Sequence, residues 1–361
     1  MTEALLYSAA PVFQVERNVR GELARDLVRL EVEEDTEGLK TLAARFLAQG
    51  PVAGESAESL LYLDGRTFDF GKRMDVSIGP VRSERTIFQG YVSGLEVEFH
   101  EGRPPEVCVF AEDRLMDLRM TRRSRTYENT TDAAIAEQIA GDHGLRAEVD
   151  SDGPAYDVVQ QWNMSDLAFL RERARLIQAE IWLQEDTLYF KTRDKRAGTE
   201  ITLVQGNHLL HAQARADLAH QRTKVKVSGY DAANREAVDE EAGSEAIGAE
   251  ISSGATGVSV LERAFGERVS YRVREAPLNS GEASAWARAE MLRRARGFVT
   301  ITGITSGTPD MAVGSRLTLE RMGHPFDGPD YYVTRVRHTY DSVNGHRTQF
   351  AAERATIQEG A

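Results

Sequence analysis

Residues Gln160–Lys191, QQWNMSDLAFLRERARLIQAEIWLQEDTLYFK, decide how the rest of the chain is read. Ser165 is placed to cap a helix, because its short hydroxyl can accept an orphan amide of the first turn. Leu167, Leu170, Ala174 and Ile177 recur at helical spacing, with Phe169 and Leu176 one step round; Arg171, Glu172, Arg173 and Arg175 form the wet face. Two short strands follow, Glu180–Gln184 and Thr187–Lys191, turned at Glu185–Asp186 and carrying Trp182, Tyr189 and Phe190. A helix laid on an aromatic hairpin is a packing unit, and none of its residues suggests chemistry.

At 361 residues, 41% hydrophobic and 28% charged, the chain has room for two or three domains with buried cores. No apolar run approaches the ~20 residues that cross a bilayer. The start, MTEALLYSAAPVFQ, lacks the basic and long apolar segments of a signal peptide, so synthesis and residence in the cytosol are expected. The single cysteine, Cys108, excludes an intramolecular disulfide and a thiolate metal cluster. A formal charge of −13 argues against a protein that grips phosphates. The basic run Arg114–Arg125 is the local exception, read as a solvated face or a salt-bridge patch.

Outside the quoted stretch the pattern is mainly β. Val12–Glu16 and Leu27–Glu33 alternate as half-buried strands do, and Glu37–Leu47 is expected to be a short amphipathic helix. Strands are expected at Leu60–Leu63, Arg73–Ile78, Thr86–Phe99 and Val107–Ala111, with Gly90 and Gly94 marking bulges. Thr130-Thr131-Asp132 caps a helix Ala133–Asp142 that ends at His143-Gly144, and a strand Arg146–Val149 follows. Strands return at Glu200–Val204 and Lys224–Tyr230. Residues 231–257 are rich in Ala, Glu, Gly and Ser and lack aromatics, so a flexible acidic insertion is expected. Beyond it lie a strand at Val269–Arg274 and a long helix, Gly281–Ala295, with Trp286, Met291 and Leu292 inward. Strands Phe298–Ile304, Arg316–Glu320, Tyr331–Tyr340 and Arg347–Ala352 complete a second β region. The domains expected are 1–115, 116–197 and 198–349, with a tail at 350–361.

The two β regions read as copies of one design. Gly71–Val76 matches Gly314–Leu319, Tyr91–Glu96 matches Tyr332–Arg337, and Phe110-Ala111-Glu112 matches Phe350–Glu353, in the same order and at a nearly constant spacing. In this reading Glu37–Leu47 and Gly281–Ala295 are the single helix of each copy. Three chains carrying such a duplication present six similar domains around an axis, which suits a junction between six-fold and three-fold assemblies.

The chain resembles the tail-hub family of contractile phages and injection machines, the late control protein D group and the hub portion of VgrG spike proteins. The resemblance rests on AEDRLMDLRMTRRSR at Ala111–Arg125, on the Thr130–Leu145 helix finishing in His-Gly-Leu, and on Trp162-Asn163, Ser165–Leu170 and the aromatic hairpin of Gln161–Phe190. It covers about a fifth of the chain strongly, and the flanking β regions fit the same layout less closely. It implies two β-barrel tube domains flanking a small α+β domain, and a homotrimer that caps an inner tube and seats a spike. The spike is expected to be a separate chain, because nothing resembling the family's β-helical extension follows the last strand. Further partners implied are baseplate wedge components and a tape-measure protein or cargo, with no sequence-specific nucleic acid and no membrane span. Such a protein is made in the bacterial cytoplasm and built into a particle, and its acidic excess is expected to line a channel for passing DNA.

No catalytic, cofactor-binding or metal site is expected. His208 and His211 are spaced by three, with His220 beyond, but Asn207 and Leu209 stand where a zinc hydrolase carries its glutamate. No phosphate-binding loop, dinucleotide fingerprint or serine-hydrolase elbow occurs. Cys108 lies in the apolar Val107–Phe110 and reads as a buried thiol. Trp162 and Trp182 read as core or interface anchors, and the sequons at Asn129 and Asn163 carry no weight in the cytosol. The competing readings are a peptidoglycan hydrolase on the same particle, using some pair of its many acids, and a cargo- or receptor-binding module built on 231–257.

Overall fold

The computed structural model describes residues 10–51, 58–80, 83–151, 153–231, 234–272 and 279–358. The fold is mainly β, and a sheet of thirteen strands runs through both ends of the chain. Ten of these strands carry the argument. They are β1 (Leu27–Asp35), β2 (Thr41–Leu47), β3 (Arg73–Ile78), β4 (Arg85–Glu98) and β5 (Glu106–Glu112), then β6 (Leu209–Ala216), β7 (Val299–Thr305), β8 (Arg316–Glu320), β9 (Gly328–Asp341) and β10 (Gly345–Arg354). The first five are ordered β1-β2-β5-β4-β3 and the second five β6-β7-β10-β9-β8, every neighbouring pair antiparallel.

The duplication extends to the irregularities. Tyr91 faces Glu112, Val92 faces Ala111, and the register slips before Gly94 faces Phe110. Tyr332 faces Glu353, Val333 faces Ala352, and it slips before Arg335 faces Ala351. A second slip lies between Leu27 and Arg29 on β1, and its counterpart lies between Leu209 and His211 on β6. Bulges re-aim a strand at one residue, so two of them at equivalent places mark one design used twice.

No closed barrel is found among the described residues. β1 lies beside β9, with Asp35 facing Arg335 and Arg29 facing Asp341, so the two halves form one continuous sheet. Glu37–Leu47 is not a helix. Leu39 turns the chain at φ 67° and Thr41–Leu47 is strand β2, burying Leu42, Ala44 and Phe46 alternately. Its residues favour helices alone, but pairing on both sides with β1 and β5 overrides that preference. The counterpart of β2 is therefore β7, and the long helix Ser280–Arg296 has no equivalent among the described residues of the first half.

That helix packs instead on the segment expected to be a flexible insertion. Lys224–Asp231 and Glu236–Ala242 pair antiparallel, a short helical segment Ser244–Glu250 follows, and Gly257–Phe265 is a helix. Val225, Val227, Val238, Ala246 and Ile247 join Ala283, Trp286 and Met291 in a separate core. Asp239, Glu241 and Glu245 sit outside, Glu250 pairs with the buried Arg296, and small alanines and single branched side chains face in. The expected tail at 350–361 also shifts, because β10 runs on to Arg354.

The middle of the chain follows its sequence closely. Ser165 Oγ accepts the Ala168 amide at 3.2 Å and caps the helix Asp166–Ile177. Trp182 and Tyr189 stack across the Ala179–Gln184 and Thr187–Thr192 hairpin, with centroids 4.8 Å apart. Thr131 caps the helix Asp132–Asp142 by accepting the Ala134 amide at 3.2 Å.

Candidate functional site

The middle unit meets both halves of the sheet at a buried ionic cluster. The hairpin supplies Glu180, and the short turn that follows it supplies Arg193 and Arg196. β1 supplies Glu34, β9 supplies Tyr332, and β10 supplies Glu353. Arg196 donates to Glu180 at 3.0 Å and to Glu34 at 3.2 Å, and Lys40 reaches Glu34 at 2.9 Å. Arg193 donates to Glu353 at 2.6 Å and to Glu180 at 3.3 Å, and the Tyr332 hydroxyl donates to Glu180. The guanidinium planes lie on rings as well, Arg193 4.0 Å from the Tyr332 centroid and Arg196 4.1 Å from that of Trp182.

Burial alone would raise the Glu180 and Glu34 carboxyls. The cations around them outweigh it, Arg193 and Arg196 at Glu180, Lys40 and Arg196 at Glu34, and hold both below the usual range. Asp113 goes the other way, pushed by burial to about 6 although it accepts the Lys40 and Leu115 amides at 2.9 Å each.

A cleft of about 650 Å³ opens beside this cluster, with Glu34, Lys40, Asp113, Trp182, Arg196 and Ser315 in its walls. Acids of divergent pKa in a cleft are the arrangement a hydrolase needs. Here both oxygens of Glu34 and of Asp113 are engaged by protein donors. The Glu180 cluster clamps three parts of the chain together.

The residues singled out in the sequence are scattered. His208, His211 and His220 are all exposed, and among the described residues no group of three or more His, Cys, Asp or Glu could hold a metal ion. Cys108 is buried on β5, and its thiol is pushed up by burial. Trp182 is an anchor under Arg196, whereas Trp162 is 71% exposed. Asn129 and Asn163 lie within strands, each with a left-handed backbone at φ 48° and 42°.

The basic run resolves into internal ion pairs. Arg114 meets Asp186 at 2.8 Å, Arg119 meets Glu112 at 2.6 Å, Arg123 meets Asp166 at 2.9 Å and Arg125 meets Asp142 at 2.7 Å. Those guanidiniums are committed to carboxylates of the same chain. Sequence reading missed the Glu180 cluster, whose members come from five separate segments. It also missed His338, which is buried and donates Nε2–H to the Met311 carbonyl at 3.0 Å, with His346 and Thr348 on its other nitrogen.

The family described as the Alg8 N-terminal domain matches residues 50–342. No curated protein sequence matches the chain. Among solved structures it is similar to the 43 kDa tail protein of prophage MuSo2 from Shewanella oneidensis, at 14% identity over 96% of this chain and 98% of that one, TM-score 0.68. It is similar to the tail protein from Neisseria meningitidis, at 12% identity over 96% and 97%, TM-score 0.67. A third is the E. coli c3393 protein, a type VI secretion component with structural similarity to T4 phage tail proteins gp27 and gp5, at 14% identity over 93% and 76%, TM-score 0.57. At these identities the likeness is one of fold, that of phage tail proteins and their secretion-system relatives.

Proposed function

We propose a structural role in a tail baseplate for this chain, which belongs to the Alg8 N-terminal domain family. It is the central hub of a contractile tail or injection system, of the late control protein D and VgrG type. It works as a homotrimer that joins a six-fold inner tube to a three-fold spike. Residues 1–115 and 198–354 are the tube-forming units, residues 116–197 the middle unit, and the C-terminal end faces the spike. It is not an enzyme; its partners are itself, the tube protein, the spike and the baseplate wedges, and its place is in the assembled particle.

The observation that carries the reading is the five-strand arrangement used twice, with both bulges kept. A duplicated unit lets three chains offer six equivalent contacts. Native mass spectrometry of the purified protein tests it. The expected species has three times the mass of the 40.1 kDa chain, and a monomer at every concentration overturns the reading.

A further inference from the structure

Among the described residues, the strands of the two copies are joined by one seam, β1 beside the second half of β9. β9 uses a single edge for two neighbours, β8 along Gly328–Tyr332 and β1 along Arg335–Asp341. Its counterpart β4 pairs with β3 only along Arg85–Tyr91, so on that same edge Gly94–Glu98 has no neighbour among the described residues. The counterpart of β1 is β6, which pairs with β7 on one side and, among the described residues, has no strand on the other. One copy therefore has its seam filled, and the other leaves both halves of the same seam open at opposite ends of the sheet. An open strand edge is a row of unpaired amides and carbonyls that templates another strand.

We propose that β6 of one chain pairs antiparallel with the open half of β4 of a second copy, in the register the internal seam dictates. Glu33 and Arg215 are equivalent, since each faces the residue, Thr41 or Thr300, that in turn faces Glu112 or Glu353. Glu96 and Arg337 are equivalent by the matched slips of β4 and β9. In the internal seam Arg337 faces Glu33 and binds it at 2.7 Å. Transposed to the open edges, that pair becomes Glu96 facing Arg215, flanked by Val97 facing Ala214 and Leu95 facing Ala216.

The charges are complementary again, with the signs exchanged. Glu96 is exposed and makes no ion pair among the described residues, while exposed Arg215 leans on Asp217, two residues along. The exchange is also selective. β1 placed against β4 would set Glu33 opposite Glu96, and β6 placed against β9 would set Arg215 opposite Arg337; like charges directly opposite disfavour both. The apolar side agrees. Val336, buried to 2% under the internal seam, corresponds to half-buried Leu95, and buried His338 corresponds to Val97, which is 37% exposed. The contact uses different surfaces on the two partners, so it builds a ring or a filament. Closure at three copies rests on the hub reading above.

Paired cysteines test the register. Val97→Cys with Ala214→Cys, in a Cys108→Ala background, should oxidise to disulfide-linked trimers that reduction releases. Val97→Cys with Ala216→Cys, off register by two residues, should link at least tenfold less. Glu96→Arg or Arg215→Glu alone should lower the trimeric fraction, and the two together should restore it. A trimer by native mass with no on-register link and no charge-reversal rescue overturns the pairing and leaves the hub reading standing. A chain that never leaves the monomer overturns both.

Discussion

Val92 and Val333 occupy the same place in the two copies. The Val92 carbonyl accepts the Gly71 amide at 2.8 Å and its amide donates to the Lys72 carbonyl at 2.9 Å; Val333 repeats this with Gly314 and Ser315 at 2.9 Å each. Both glycines take positive φ, 76° at Gly71 and 93° at Gly314.

The two glycines should not tolerate a side chain equally. A methyl at Gly71 meets nothing within 4 Å, so Gly71→Ala costs only the backbone strain of a left-handed residue, about 1–2 kcal/mol. A methyl at Gly314 would lie 2.7 Å from Arg196 Nε and disturb the ionic cluster as well. Urea unfolding should show Gly314→Ala as the more destabilised of the two.

Removing one member of the Glu180 cluster leaves a buried charge without its partner. Arg196→Met strips Glu180 and Glu34 of a shared cation, and a loss of about 3–5 kcal/mol is expected by the same measurement. Arg215→Met, on the exposed edge, should change the stability of the isolated chain by about 0.5 kcal/mol or less.

Acid should act first through the histidine pair. Burial pushes His338 down to about 3 and His346 to about 4, so both stay neutral in the folded chain while unfolded histidine titrates near 6.5. The unfolded chain then binds more protons, and stability falls as pH drops from about 6.5 towards 4, by up to about 1.4 kcal/mol per pH unit for each imidazole. Asp113, raised to about 6, opposes this in part, because it binds its proton in the folded state first. His346→Gln should flatten the slope in that window, read from thermal unfolding at several pH values. An unchanged slope would contradict the assignment.

What the sequence makes legible is what neighbours in the chain decide. Ser165 and Thr131 cap their helices because an N-cap needs only its own next three residues. The Gly71 and Gly314 segments were recognisable because both turns impose the same backbone on a short motif. Thr41–Leu47 was not, since seven residues fit either period and the choice falls to β1 and β5, distant in sequence. The core under 231–257 escaped because only Val238, Ile247 and two alanines, Ala242 and Ala246, supply it, and composition reads alanine as neutral. The Glu180 cluster escaped for a third reason: Glu34, Glu180, Arg193, Arg196, Tyr332 and Glu353 are ordinary residues until the fold gathers them.

Imaging the purified assembly end-on by electron microscopy tests the central claim most directly. The account predicts a ring whose true rotational symmetry is three-fold, with six similar lobes that give a strong six-fold harmonic. Single particles without rotational symmetry, or rings with three lobes and no six-fold harmonic, would contradict it.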